Sequence, residues 1–284
     1  MIQKYIHNPH LIYGRKYDLR VYALVTSINP LRVYLHDGSY VRITGRKYKP
    51  PSEDKTLMTH ITNIHYQQGS GYDLPKSSLQ TETRNLMKLS RLMEYYNNHF
   101  GNGTSKRVWT VLKRSITSVL LATTAQMRHV ECTNCFQLCG VDVVWDKALE
   151  KAFVIEVNGH PGVSGGFALA DGIPHSIMIP SALRMKGASP LVPAIDLAEF
   201  RKQLAENEIE YKEEFTSELG RMIQEYYYRG KFDLTWPLDS RSMDELWYNL
   251  TDFDRTMYHT FLLAIQRLKL NTLFQLKRPS FYDS

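Results

Sequence analysis

The sequence predicts a mixed α/β protein of the α+β kind, with mostly antiparallel strands packed against helices that occupy separate stretches of chain. Three observations predict it. The first third is a succession of β-branched and aromatic runs punctuated by turn residues. The middle carries apolar residues at helical spacing, and a second pair of apolar runs follows, each ending in polar side chains.

In order, residues 19–25 (LRVYALV) and 31–35 (LRVYL) read as strands joined by a turn at Asn29-Pro30. Asp37-Gly38 predicts a tight hairpin into 40–43 (YVRI). From Thr44 to Pro75 the chain reads as one long loop, with Pro50-Pro51 and Gly69-Ser70-Gly71, and His60-Ile61-Thr62-Asn63 in its middle. A loop of that length is functional or disordered. Helices are predicted over about 78–99 and 104–131, parted by Gly101-Asn102-Gly103. The second carries Val108, Val111, Leu112, Ile116, Val119 and Leu120 as a core-facing stripe. A hairpin of 137–142 and 154–158 comes next, and helices resume near 195–228 and 242–270. No internal repeat or low-complexity run is present, and the motifs read below end by residue 166, so the expected division is a core of residues 1–166 and a helical C-terminal extension, 167–284.

With 284 residues, 43% hydrophobic and 23% charged, the chain has ample material for a buried core. A net charge of +6 and a pI near 9.0 suit an acidic partner without choosing among nucleic acid, membrane and acidic polypeptide. Nucleic acid is disfavoured, because no fold signature or aromatic-interleaved basic stripe appears. No apolar run approaches the ~20 residues that span a bilayer. The first residues lack the pattern of a signal peptide, and three cysteines are no secreted disulfide framework, which predicts an intracellular protein. His129, Cys132, Cys135 and Cys139 form an H-x2-C-x2-C-x3-C string, readable as zinc ligands. The favoured alternative packs them as small apolar residues along one face of a helix.

The chemistry-bearing residues sit at strand ends. Glu156 and Asn158 are two apart and share a strand face, and the short 146–151 loop brings Asp142 beside Glu156. Two carboxylates and an amide oxygen are the hard ligands magnesium takes when it also holds phosphates, although acidic residues at a strand end also serve as a solvated edge. Gly159 and Pro161 break the strand and leave these acceptors at a rim. Lys16, Asp18 and Arg20 share one face of a strand, with Arg42 ending the neighbouring one. Such cations can neutralise phosphate oxygens; the plainer alternative is a solvent-exposed face laced with salt bridges. His60 and Asn63 taken singly read as loop-capping residues.

Together these blocks resemble the tubulin–tyrosine ligase-like family. Gln3-Lys4-Tyr5-Ile6 with Pro9 and Leu11-Ile12 is similar to its Q-K/R-Y-I-x-x-P-x-L-I segment, and Lys16-Tyr17-Asp18-Leu19-Arg20 to its K-F/Y-D-L/I-R core. His60-Ile61-Thr62-Asn63 resembles its H-L-T-N loop, residues 136–142 its F-x-L-x-G-x-D strand, and Glu156-Val157-Asn158 with Pro161 its E-V-N-x-x-P strand. The resemblance implies an ATP-grasp-like fold and ATP-dependent joining of an amino acid (tyrosine, glutamate or glycine) to tubulin through an acyl-phosphate. By the same resemblance, Asp142, Glu156 and Asn158 would hold Mg2+, and Lys16, Asp18 and Arg20 would line the nucleotide and acceptor region. Arg42 would face the transferred phosphate, His60 and Asn63 would help close the active site, and Gln3, Lys4, Tyr5 and Ile6 would lie against the adenine. The implied setting is cytoplasmic and cytoskeleton-associated, the partner tubulin or microtubules through their acidic tails, and the form a monomer. Family members carry a substantial region ahead of the Q-K-Y-I segment, where this chain starts. A short form is therefore implied, whose rival reading is a truncated, non-catalytic tubulin- or microtubule-binding protein.

Overall fold

The computed structural model describes residues 2–54, 56–67, 85–124, 135–162, 195–237 and 252–270. The strands among them are β1 (Leu11–Ile12), β2 (Arg15–Ile28), β3 (Leu31–His36), β4 (Tyr40–Ile43), β5 (Leu86–Lys88), β6 (Gln137–Trp145), β7 (Ala152–Asn158) and β8 (Phe232–Trp236). The helices are α1 (Ile64–Gln67), α2 (Leu89–Phe100), α3 (Thr104–Thr124), α4 (Leu197–Glu206), α5 (Thr216–Tyr227) and α6 (Asp252–Arg267). The architecture is the expected α+β one, a mostly antiparallel sheet flanked by helices.

The chain divides into two compact units: Met1–Ala23, Leu35–Thr123 and Leu138–His175 in the first, Leu24–Tyr34, Thr124–Gln137 and Ser176–Ser284 in the second. In the first, β2 is the central strand. It takes β4 antiparallel (Tyr17↔Ile43, Asp18↔Arg42, Leu19↔Val41, Arg20↔Tyr40), and also pairs with β1 and β6. Strand β5 extends the sheet beyond β4, and β7 pairs with β6. Tyr17, Leu19, Val21 and Ala23 alternate along β2 as wholly buried residues, so one of its faces belongs to the apolar core. The helical stripe of α3 is realised by Val108, Leu112, Ile116 and Leu120, each buried and contributing about 1.5–3 kcal/mol.

In the first unit three expected elements change. Asp37-Gly38 does not fold β4 back on β3; β4 pairs with β2, whose 14 residues give it length enough for further partners. Ser39 makes the passage possible: its hydroxyl donates to the His36 carbonyl at 2.7 Å and accepts the Tyr22 amide at 3.1 Å. Within the predicted helix 78–99, residues 86–88 are a strand paired with Tyr40–Arg42, and the helix starts only at Leu89. A three-residue strand is too short to register as a periodicity. Finally, the long loop after Thr44 contains a 3₁₀ turn at Leu57–Thr59 and the single turn α1. Between α2 and α3 the expected glycine break holds. Gly101 and Gly103 take φ of 95° and 90°, and Asn97 Oδ1 accepts the Ser105 amide at 2.9 Å, satisfying an orphan donor of α3.

In the second unit the predicted 195–228 helix is two helices. They are parted where Glu208 takes a φ of 53°, and a 3₁₀ turn at Glu213–Phe215 leads into α5. Strand β8, which the sequence reading did not find, pairs with β3. Asp196 caps α4 by accepting the Ala198 and Glu199 amides at 3.0 and 3.1 Å. The apolar faces of α4, α5 and α6 bury Phe200, Leu204, Leu219, Ile223 and Phe261. Among them lies an ion pair: Arg32 Nε donates to Glu225 Oε2 at 2.8 Å and Nη2 to Oε1 at 3.1 Å, with Glu218 on Nη1 and the Thr26 hydroxyl also bonding Glu225. Burial opposes the charge of Arg32, but Glu225 and Glu218 outweigh it and raise its pKa.

Two predictions follow from these buried polar groups. Replacing Arg32 by Ala strands the Glu225 carboxylate, 2% exposed, and is expected to lower stability by about 3–5 kcal/mol in urea unfolding; a loss below about 1 kcal/mol would show that water rescues the site. The second concerns His10, whose Nδ1 bonds the Tyr17 hydroxyl at 2.9 Å. Burial holds this imidazole down at about 4 against an ordinary 6.5, with Asp146 pulling the other way. The neutral ring is therefore the folded form. Its contribution is complete above pH 6.5 and is lost as pH falls toward 4, amounting to roughly 3 kcal/mol. Unfolding free energies of the parent and His10→Gln should diverge in slope across that window, and parallel profiles would remove His10 from the acid response.

Candidate active site

The thirteen residues assigned to the site by the family resemblance all lie in the first unit, and the sheet register brings the charged ones together. Because opposed residues of an antiparallel pair share a face, Arg42 lies on the same side of the sheet as Asp18, its partner on β2. Lys16 and Arg20 flank Asp18 at a spacing of two and share that side. On β6 and β7 the register opposes Asp142 to Glu156 and Gly140 to Asn158. A bulge then follows: Val143 faces Val154, leaving Ile155 as the extra residue. Gln3 donates its side-chain amide to the Ile155 carbonyl at 3.1 Å, which ties the start of the chain to this bulge.

The result is a row of alternating charges. Arg42 Nε donates to Asp18 Oδ1 at 2.9 Å, and its Nη2 bonds Asp18 Oδ2 and lies 2.9 Å from Asp142 Oδ2. Arg20 grips the same Asp142 with Nε on Oδ1 at 2.6 Å and Nη2 on Oδ2 at 3.1 Å. Lys16, Asp18, Arg42 and Asp142 are 8%, 3%, 7% and 6% exposed, so the solvent-exposed salt-bridge alternative is not what the chain builds. Burial works against the charge of Arg42, yet its bonds to Asp18 and the nearby Asp142 raise its pKa; Arg20 is raised in the same way through Asp142. Burial lowers the pKa of Lys16, with Asp18 offsetting part of the effect.

Glycine at position 140 is a steric requirement. A Cβ there would meet Pro161 Cβ at 2.9 Å and Arg20 Cδ at 3.2 Å, so the side chain of Arg20 reaches Asp142 by passing over bare backbone. The Tyr22 hydroxyl donates to the Gly162 carbonyl at 2.9 Å and pins the segment after Pro161 to β2.

A second cluster gathers around Tyr5. Its hydroxyl lies 2.9 Å from His60 Nδ1 and 3.2 Å from Lys16 Nζ, and His60 Nε2 lies 2.8 Å from the Asp54 carbonyl. The Lys16 ammonium also stands 4.5 Å from the centroid of the Tyr5 ring. Burial raises the Tyr5 pKa, with the Tyr48 hydroxyl adding to it. Asn63 is exposed, and its carbonyl accepts the Tyr66 and Gln67 amides, opening α1 as a capping residue does. Lys4 is exposed and Ile6 half-buried. Sequence reasoning missed Gln67, which is 3% exposed. Its amide donates to the Met58 and Ile61 carbonyls at 3.1 and 2.5 Å, and its oxygen accepts the Gly45 amide at 2.9 Å, fastening the His60 loop to the end of β4. A lone glutamine in a loop carries no sequence signal for such a role.

The metal readings fare differently. Among the described residues no group of three or more His, Cys, Asp and Glu is placed to hold a metal. His129 and Cys132 of the zinc string lie outside the described residues. Cys139 is a buried free thiol on β6, not on a helix face, and burial raises its pKa. Asp142, Glu156 and Asn158 form a different kind of set, two carboxylates and an amide. Asp142 receives three guanidinium contacts, and a carboxylate offers about four lone-pair sites, so one direction stays open. Glu156 is exposed on the same face. This hard-oxygen set fits magnesium.

The sequence profile of the Tubulin-tyrosine ligase family matches residues 1–178 of the 284. The chain belongs to the tubulin-tyrosine ligase family. Its similarity extends to the probable tubulin polyglutamylase ttll-9 of Caenorhabditis elegans, 28% identical over 58% of this chain and 37% of that protein. The probable tubulin polyglutamylase TTLL9 of Bos taurus is 32% identical over 57% of this chain and 33% of its own length. The human tubulin monoglutamylase TTLL4 is 31% identical over 57% of this chain and 14% of its own. The chain thus matches little more than a third, or less, of the length of these relatives. As a tubulin-tyrosine ligase family member it has an ATP-grasp-like fold, and its charged row lies inside the matched residues.

Substituting Gly140 by Ala tests this geometry. The added methyl is expected to push Arg20 off Asp142 and to cost about 1–3 kcal/mol of stability. A crystal structure of the variant with the Arg20–Asp142 bonds intact, and an unchanged unfolding midpoint, would show that Pro161 yields instead.

Proposed function

We propose that this chain is the catalytic part of an ATP-dependent ligase that joins an amino acid, glutamate first among the candidates, to a carboxylate of tubulin. The observation that carries the reading is the buried row Asp18–Arg42–Asp142–Arg20 beside the exposed Glu156. A ligase of this kind needs placed cations and hard oxygen donors more than a nucleophile of its own, and among the described residues the site offers the former. Glutamate is favoured because the relatives quoted are named as polyglutamylases or a monoglutamylase. Tyrosine and glycine remain competitors within the family reading.

In this proposal Asp142, Glu156 and Asn158 hold magnesium. Asp142 is preset by Arg20 and Arg42, while Glu156 completes the set from the solvent side. Bound there, magnesium would supply a Lewis acid and ATP a phosphoryl group, with ADP leaving, to make the tubulin carboxylate an acyl-phosphate, from which the amine of the amino acid would displace phosphate with loss of a proton. Arg20 and Arg42 offset charge on the transferred group, and Asp18 keeps Arg42 aimed by holding two of its nitrogens. Lys16 adds a cation at the nucleotide end of the row, with Gln3, Lys4, Tyr5 and Ile6 beside the base and His60 and Asn63 at the rim. A pI near 9.0 suits the acidic tails of tubulin and microtubules, and action on that substrate would put the protein in the cytoplasm on the cytoskeleton.

The test is ATP-dependent incorporation of labelled glutamate, tyrosine and glycine, separately, into purified tubulin. Glutamate should be incorporated, and Glu156→Gln should reduce the rate by about 100-fold or more while leaving the unfolding midpoint nearly unchanged, since Glu156 is exposed. Incorporation of none of the three, or a fully active Glu156→Gln, would reject the assignment.

A further inference from the structure

With a neutral imidazole, the hydrogen bonds from Lys16 through Tyr5 and His60 to the Asp54 carbonyl have one consistent direction. A backbone carbonyl can accept but not donate, so His60 Nε2, 2.8 Å from the Asp54 carbonyl, carries the ring proton. In the neutral ring Nδ1 is then an acceptor, and the Tyr5 hydroxyl 2.9 Å away donates to it. The Tyr5 oxygen is left to accept, and the Lys16 ammonium at 3.2 Å donates to it. The order is Lys16 to Tyr5 to His60 to the Asp54 carbonyl, every link in the same sense. The rings fix the same arrangement. Tyr5 and Tyr48 each meet the His60 imidazole edge-on, at centroid distances of 5.7 Å and angles of 86° and 88°.

We propose that Tyr5 is a positioning residue whose single hydroxyl holds the plane of His60, in the tautomer that the Asp54 carbonyl fixes, and holds the Lys16 ammonium at the end of the charged row. Lys16 stands two residues from Asp18 on β2, and its own carbonyl accepts the Thr44 amide at 2.9 Å. The hydroxyl therefore joins two separate pieces of chain: the strand that carries the cations and the loop that carries His60. Phenylalanine would keep the ring, its edge contacts and its place beneath the ammonium, yet remove both hydrogen bonds. The role in turnover rests on the ligase reading; the role in placing His60 does not.

The experiment compares the 15N-labelled full chain with Tyr5→Phe in two readouts. Long-range proton–nitrogen spectra of the imidazoles should show His60 of the parent with its proton on Nε2 and an unprotonated, hydrogen-bonded Nδ1. In Tyr5→Phe that Nδ1 resonance should move to the position of an unbonded acceptor, with the His10 signals unshifted as a control on the fold. In the incorporation assay kcat should fall about tenfold while the KM for tubulin stays within about twofold. A parent His60 protonated on Nδ1, an Nδ1 resonance indifferent to the substitution, or unchanged kcat in an active enzyme would each overturn the proposal. If the parent incorporates no amino acid, the ligase reading fails, and the imidazole spectra alone decide whether Tyr5 positions His60.

Discussion

The arrangement of the first unit depends on the two-guanidinium grip on Asp142. Taking a carboxylate out of water costs several kcal/mol, and one opposite charge rarely offsets that unless the remaining lone pairs are also filled. Here Arg20 and Arg42 approach the same carboxylate from different strands, and Asp18 fixes Arg42 in turn. Strand β4 contributes one member, β2 two and β6 one. Their registers must all hold together, because a one-residue slip would turn a charged side chain into the apolar core. The ion row thus acts as a register lock for the sheet as well as a candidate site.

Central strand β2 shows how one sequence serves both ends. Its odd-numbered residues Tyr17, Leu19 and Val21 are an ordinary core face, and its even-numbered residues Lys16, Asp18 and Arg20 belong to the candidate site. Strict alternation is what permits this, and it explains why the opposite face of the strand can be rich in charge without destabilising the core. The second unit handles its buried charge differently. There Arg32 is held between Glu225 and Glu218, with Arg221 also on Glu218.

Much of this was legible in the sequence, for identifiable reasons. Alternation in residues 16–25 revealed β2 and the shared side of Lys16, Asp18 and Arg20. The short 146–151 loop fixed the pairing of Asp142 with Glu156, because few residues leave few ways to return. The stripe Val108, Leu112, Ile116, Leu120 announced α3. What stayed hidden was set by tertiary context. Strand β5 has three residues and exists because β4 offers it an edge, and β8 likewise leaves too few positions to show a period. The partner of β4 was misjudged because Asp37-Gly38 is a strong local turn signal, overridden by the reach of β2 and the hydroxyl of Ser39. Gln67 and the steric demand at Gly140 depend on neighbours remote in sequence, which no local pattern encodes.

The contrast between Asp142 and Glu156 has a consequence for what the protein is without its ligands. Two carboxylates facing each other across a strand pair ordinarily repel and make a bound cation part of the structural cement. In this sheet the inner charge is already neutralised by arginine, and the outer one is free to hydrate. A divalent ion held in the proposed way would therefore be no requirement for folding, and its residence time would be set by the phosphates that accompany it. On the proposed reading the site would be loaded and emptied with each turnover, as a port and not as a rivet.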